Sequence, residues 1–377
     1  MTVQKQGIRQ LDFGLFAAVL LICCGGLLSI KSAVHNDPHG MDFFRKQVVG
    51  IVLGSSLILF LATREYETLL KRFARYLYPL NLFLLLVVLF HFGHSSHGAQ
   101  RWIALGPIQI QPSEFAKIIL IGTLSLYLAE NIETIREWPT LLKSLGHIGI
   151  PMLLIAKQPD LGTALVILAI WFGITAIAGA NIKHLLLILG TGVLLFAAIW
   201  HFNPTIGGNQ VLKDYQKNRL EVFLNPDADP RDSGYHLRQS EIAIGNGGMS
   251  GMGYLHGQQS NGRFIPEQHT DFIFTIVGEE GGFVACVALL ALYLFVLERG
   301  VMILADCKDT LGRLLAAGVL SMLTFHTVVN AGMTMGIMPV VGVPLPFFSY
   351  GLSSLIVNMS AVGILLSVAA QKHRVMF

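Results

Sequence analysis

Along most of this chain the hydrophobic positions follow neither the alternation of a half-exposed strand nor the one-sided stripe of a surface helix. They run apolar on every face for roughly 17 residues or more at a time, the length of helix that crosses a bilayer. Ten such spans are predicted: roughly 11–30, 47–63, 76–92, 112–129, 145–157, 161–180, 184–202, 272–297, 311–333 and 351–370. The fifth is short enough to suggest a re-entrant or broken segment. Between the seventh and eighth, residues 203–271 turn polar and rich in Gly, Asp, Asn and Pro, as in "LNPDADPRDSGYH" and "GNGGMSGMGYLHGQQSNG". Within them "YHLRQSEIAIG" has apolar residues at mixed spacing and could form a short interfacial helix. The expected fold is all-α: a polytopic membrane protein, one domain over 1–377, with about ten transmembrane helices and one large extracytoplasmic loop.

Composition agrees. Of 377 residues, 53% are hydrophobic and 13% charged, against about 25% charged in a soluble domain. The net charge of +3 is small and dispersed, which excludes a nucleic-acid partner. Cys23, Cys24, Cys286 and Cys307 fall in or beside apolar runs without a C-x-x-C pair, so they read as packing residues. The first apolar run lacks a cleavage site and reads as a retained span. With the N-terminus inside, the cytoplasmic segments hold 14 Lys and Arg and the short outer ones hold 5. Both termini are therefore expected in the cytoplasm and the long loop outside, although Arg45 and Lys46 dissent.

Ionisable residues gather at the outer ends of several spans. In "FIPEQHTDFIF", Glu267, His269 and Asp271 stand directly before the eighth span. Asp271 is placed either to cap that helix or to act as a general base with a pKa raised by desolvation. In "RWIALGPIQIQPSEFAK", Arg101 and Trp102 precede the fourth span, while Glu114 and Lys117 lie on one face of its first turns. A mutual salt bridge with Lys117 snorkelling is the plain account; a polar cavity is the functional one. Asp160 of "QPDLGTAL" is again a cap or a cavity residue. Four such groups at one level favour a shared cavity. Glu279 and Glu280 of "GEEGG" fall about 12–13 Å into the eighth span at 1.5 Å per residue, as neutral carboxyls or as the lining of a cavity or pathway. The glycines of "GNGGMSGMG" could cradle a phosphate, and His91, His94 and His97 could hold a metal, though both signals are weak.

The ordered motifs "GAQRWIALG", "QPSEFAK", "QPDLGTAL", "GYHLRQSEIAIGNGG", "LHGQQS", "FIPEQHTDFIF" and "VVGVPLPFFSYG" resemble the SEDS (shape, elongation, division and sporulation) family over nearly the whole chain, and most closely its rod-shape elongation branch. One departure is Leu352, where the family pattern "SYGGS" reads "SYGLSS", which bears on the packing of the last span. The resemblance implies a peptidoglycan glycosyltransferase of the bacterial cytoplasmic (inner) membrane that polymerises lipid II. Asp271 would be the essential carboxylate. Trp102 would be required for activity, and Glu114, Lys117 and Asp160 would line the central cavity. It also implies a divalent cation (Mg or Mn) of unknown ligands, a class B penicillin-binding protein transpeptidase as partner, and other elongation-complex membrane proteins.

Such chemistry needs a base for the acceptor 4-hydroxyl and positive charge on the pyrophosphate. Asp271 suits the first; Lys117, Arg101 and the cation are candidates for the second. Displacement of an α-linked pyrophosphate to give a β-1,4 glycan would be inverting. The rival expectation is a lipid II flippase or secondary transporter, with paired broken helices in two related halves.

Overall fold

The computed structural model describes residues 12–92, 94–96, 99–105, 108–203, 205–206, 209–210, 214–225, 233–265 and 267–371. Nine helices among these are long and apolar enough to cross a membrane: α1 (Phe13–Ala33), α2 (Gly40–Ala62), α3 (Tyr66–Val87), α4 (Pro112–Glu130), α5 (Trp138–Lys157), α7 (Ile182–Phe202), α11 (Ile273–Asp306), α12 (Thr310–Thr334) and α13 (Leu352–Gln371). A tenth, α6 (Leu161–Ile177), is shorter and equally apolar. The protein is a multi-pass membrane protein.

The helices alternate in direction, so the connections fall into two sets. One end of the bundle, here the site end, carries the connections after α1, α3, α5, α7 and α12. Between α3 and α4 lies a three-stranded antiparallel sheet in the order β1 (His94–Ser96), β2 (Ala99–Leu105), β3 (Ile108–Ile110), with Ile103 opposite Ile110. The histidine motif of this connection falls partly outside the described residues at His97. Between α7 and α11 come a two-stranded ribbon, β4 (Thr205–Ile206) and β5 (Asn209–Gln210), and three helices, α8 (Asp214–Leu224), α9 (Ser233–Gly247) and α10 (Gln258–Asn261). The stretch expected to form a short helix is α9.

Burial sorts the helices. In α12, 78% of the most apolar window is buried, and in α4 and α13 67%, whereas in α7 it is 6%. Thus α4, α12 and α13 form the centre, and α7 stands at the edge with only Leu185 buried. Leu352 begins α13 and reaches Gly50 of α2, where any side chain would collide with its Cδ1. The departure from the family pattern is thereby packed.

Two expectations need correcting. The fifth span is a full 20-residue helix, because Trp138 and Pro139 open it well before the predicted start and Pro151 is accommodated inside it. The eighth is not continuous: Gly282 adopts φ 68° and ψ −168° within α11, a conformation essentially restricted to glycine.

That break explains both the glycine-rich stretch and the paired glutamates. The loop after α9 inserts into it. Met252 N–H donates to the Glu279 carbonyl at 2.9 Å and Gly253 N–H to that of Glu280 at 3.0 Å. In return the Gly248 carbonyl accepts from Phe283 N–H at 2.8 Å, and the Met249 carbonyl from Val284 N–H at 3.2 Å. The backbone groups orphaned by the break are thus re-satisfied. A Cβ on Gly247 would sit 1.9 Å from the Gly278 carbonyl oxygen, and one on Gly251 2.1 Å from that of Glu280. The glycines therefore serve close backbone approach and build no phosphate cradle. The Glu279 carboxylate accepts from Gln259 N–H (2.6 Å), Ser260 N–H (3.0 Å) and the Ser260 hydroxyl. Glu280 accepts from the Ser32 hydroxyl at the end of α1. Glu280 also lines a cavity of about 310 Å³ between α1 and α11. Residues 283–306 remain as a span of about 36 Å at about 1.5 Å per residue.

Candidate functional site

The connection from α12 to α13 descends into the bundle without regular structure. Its carbonyls are met one by one by side chains: Val343 by Asn330 Nδ2 at 2.7 Å, Pro346 by the Tyr293 hydroxyl at 2.5 Å, and Ser349 by Gln47 Nε2 at 3.1 Å. This is the condition under which irregular backbone is tolerated at membrane depth. Residues 269–271 run alongside it. Tyr350 N–H donates to the His269 carbonyl at 2.9 Å, Ser349 Oγ to that of Thr270 at 2.6 Å, and Asn330 Nδ2 to that of Asp271 at 2.8 Å. The backbone of Asp271 is therefore pinned from two sides.

Its carboxylate is not a helix cap. Phe272 occupies the cap position of α11 and no side-chain cap bond forms there. The side chain instead faces a cavity of about 310 Å³. Gly342, with φ 70°, keeps the opposite wall clear; a Cβ there would lie 3.1 Å from Asp271 Oδ2. Burial pushes the Asp271 carboxyl up to about 6, with Glu267 adding to the effect and Arg219 and Arg101 opposing it.

The cavity gathers most of the expected residues. Arg101, Trp102, Glu114, Asp160, Glu267 and Asp271 all line it. Asp160 is both cap and wall: Oδ1 accepts from Thr163 N–H at 3.2 Å and Oδ2 from Ser113 Oγ (3.1 Å), Thr163 Oγ1 (3.0 Å) and Gln111 Nε2 (3.2 Å). Three expectations change. Arg101 spends two nitrogens on the α5–α6 connection, with Nε to the Gln158 carbonyl at 3.0 Å and a terminal nitrogen to that of Pro159. Lys117 does not snorkel to an interface and does not line the cavity. It is fully buried behind Glu114, holding both carboxylate oxygens at 2.9 Å and His326 Nε2 at 3.2 Å. The Pro344 carbonyl, 3.1 Å from His326 Nδ1, requires the proton on that nitrogen, so Nε2 accepts from the ammonium. All three ammonium hydrogens are then used, and Lys117 has none to offer a pyrophosphate. His269 also stands off the cavity, its ring packed against Phe43 and Tyr350 with centroids 5.0 and 5.5 Å away. Burial lowers its pKa, against the pull of Glu267 and Asp37.

Three titratable lining residues escaped the sequence reading: Arg219 of α8, His326 of α12 and Tyr350. An ionisable residue inside an apolar run was a usable signal for His326. Arg219 offered none, since a basic residue in a polar loop is ordinary. Among the described residues no three His, Cys, Asp or Glu side chains converge as a metal site. With Glu114 and Asp160 already bonded to donors, these residues do not form a cage for the divalent cation that the resemblance implies.

Comparison with known proteins places this geometry. The chain is 38% identical to the peptidoglycan glycosyltransferase MrdB of Escherichia coli K12, covering 97% of this chain and 95% of the relative. It is 36% identical to the peptidoglycan glycosyltransferase RodA of Treponema pallidum, covering 97% and 99%. Among solved structures it matches a chain from "Structural coordination of polymerization and crosslinking by a peptidoglycan synthase complex" with a TM-score of 0.81 at 33% identity, covering 97% and 99%. It matches the rod shape determining protein RodA of Thermus thermophilus with a TM-score of 0.69 at 31% identity, covering 97% and 98%. The sequence profile FTSW_RODA_SPOVE, described as "Cell cycle protein", matches residues 11–374, and with these relatives along its full length the chain belongs to that family.

Proposed function

We propose that this protein is a peptidoglycan glycosyltransferase that joins lipid II units into β-1,4 glycan strands, releasing undecaprenyl pyrophosphate, for cell elongation and rod shape. Its relatives carry the activity in their names. The observation on this chain that carries the proposal is Asp271, a carboxylate raised to about 6 on the wall of a polar cavity. A base works best with a pKa near the working pH. Asp271 takes the proton from the acceptor 4-hydroxyl as that oxygen attacks C1 of the donor sugar. The bond from C1 to the pyrophosphate breaks, and its electron pair leaves with the phosphate. A single displacement inverts the anomeric centre and needs no second carboxylate as nucleophile.

Arg219 and the cavity-facing part of Arg101 supply positive charge for the leaving group, in place of Lys117. Glu114, held by Lys117, whose ammonium is in turn held by His326, and Asp160, held by its donors, shape the wall. Glu267 raises the basicity of Asp271, and Trp102 lines the mouth on β2. The divalent cation stays in the proposal as an ion on the substrate's pyrophosphate, a common binding mode for Mg²⁺, and no step is derived through it.

The site then opens at the outer face of the bacterial cytoplasmic membrane, with both termini cytoplasmic, as the Lys and Arg distribution supports. A class B penicillin-binding protein transpeptidase is the proposed partner, supported by the likeness to a synthase complex that couples polymerisation and crosslinking. The test is glycan formation from purified lipid II with a divalent cation and the partner, comparing wild type with Asp271→Asn. Polymer from the wild type and none from a folded variant is expected; equal polymer from both would sink the assignment. Lipid II translocation in liposomes without polymer would favour the transporter.

A further inference from the structure

The geometry points to Tyr350 as the aromatic platform on which the acceptor sugar ring rests while its hydroxyl faces Asp271. This inference depends on the glycosyltransferase proposal for the identity of the sugar, but not for the existence of the seat.

Tyr350 and Asp271 share one wall. Two hydrogen bonds, from Tyr350 N–H to the His269 carbonyl and from Ser349 Oγ to the Thr270 carbonyl, tie the two strands of backbone together at 2.9 and 2.6 Å. Both residues line the cavity. The tyrosine ring is also braced by aromatic neighbours. Phe43 of α2 meets it edge-on at 5.0 Å and His269 lies tilted at 5.5 Å. Gln47, one turn further along α2, holds the backbone on both sides of it, through the Ser349 carbonyl (3.1 Å) and Gly351 N–H (3.3 Å). A ring fixed by two aromatic neighbours and a pinned backbone has little entropy left to lose when a ligand rests on it.

The cavity wall mixes carboxylates and guanidinium groups with Trp102, Val166, Val343, Pro344 and Tyr350, and of these apolar groups Tyr350 is the one whose backbone, together with Ser349, is tied to that of residues 269 and 270. A pyranose has a hydroxyl rim and an apolar C–H face, and such a site needs an apolar plane for that face beside polar groups for the rim. Tyr350 supplies the plane on the side of the base. Trp102 comes from β2, on the other side of the chain's connectivity, and is not tied to Asp271 by backbone. The same arrangement gives His269 and Phe43 a role in positioning, through the ring they support.

The test uses the full-length protein in detergent with two readouts. The first is saturation-transfer NMR with soluble N-acetylglucosaminyl-N-acetylmuramic acid disaccharide, which requires no turnover. The second is KM and kcat for lipid II polymerisation. Tyr350→Phe keeps the plane, and both readouts are expected within about twofold of wild type. Tyr350→Leu is expected to lose the saturation signal and to raise KM at least about tenfold, equivalent to about 1.4 kcal/mol. Phe43→Leu, which leaves Tyr350 in place and lies outside the cavity, is expected to weaken disaccharide binding by about threefold. Melting transitions establish that each variant is folded. A wild-type saturation signal preserved in folded Tyr350→Leu, or absent from the wild type, overturns the platform. Disaccharide binding that depends on Tyr350 in a protein that makes no glycan supports the seat and overturns the polymerase proposal instead.

Discussion

Asp271 combines a pinned backbone with a carboxylate raised by burial, and the sign of that shift makes two predictions. The base must be ionised to act. Polymerisation should therefore fall about tenfold per pH unit below about 6, where an ordinary aspartate would hold activity down to about 4. A pH profile of kcat/KM measures the break. The same shift is a stability cost, because folding disfavours the charged form above the folded pKa. Asp271→Asn is expected to raise the melting temperature at pH 8, by the equivalent of roughly 1–2 kcal/mol, and the gain should shrink as pH falls from 6 toward 4. The buried Glu114–Lys117 pair at the cavity wall behaves in the opposite way. Lys117→Met leaves Glu114 charged and unpaired, at a cost of about 3–5 kcal/mol. Adding Glu114→Gln to that variant should recover part of the lost stability, as read by denaturation in detergent. At this scale the sequence singled out Asp271, Glu114, Lys117 and Asp160, but not which of two roles each plays. Cap or base, snorkelling or buried, are differences of environment that the local sequence leaves open.

The most informative element is α11, whose apolar residues read as one span although its first nine residues belong to an outer layer capped by the loop after α9. Gly282 allows the division. Gly282→Ala should destabilise the protein by about 1–3 kcal/mol, because a Cβ would also meet Gly251 N at 2.3 Å. It should lower glycan synthesis, since residues 273–281 continue directly from Asp271. Thermal denaturation and the polymerisation assay read the two effects separately. The break was not legible because a glycine within an apolar run is common in membrane helices. What distinguishes Gly282 is the arrival of Gly248 and Gly251 from thirty residues away. Helix existence was legible for all ten spans, since an apolar segment of that length has no other way to satisfy its backbone in lipid.

At the scale of the whole molecule, alternating helices collect five connections at one end, and the cavity lies where the sheet after α3, the α5–α6 connection, α8 and the α12–α13 segment meet. The proposed topology places that end outside the cell. Met249→Cys, at an exposed site on the loop after α9, should react with a membrane-impermeant maleimide in intact spheroplasts. Glu133→Cys, exposed between α4 and α5 at the opposite end, should react only after permeabilisation. The reverse pattern would invert the topology and with it the location of the chemistry. The edge helix α7 meets little of the bundle, so its apolar faces are left to lipid.

By itself the amino-acid sequence determined the solvent, the number of spans, the polar loop and the group of ionisable residues at one level. These follow from lengths of apolar chain and from the cost of placing charge in hydrocarbon, both local properties. Only the tertiary structure decided that Lys117 is spent on Glu114 and His326, that Arg101 braces a neighbouring connection, and that Arg219, His326 and Tyr350 complete the wall. Those assignments depend on groups tens to hundreds of residues apart in the chain competing for the same hydrogen bonds and the same small volume. Packing sets the outcome of that competition, and no periodicity along the sequence records it.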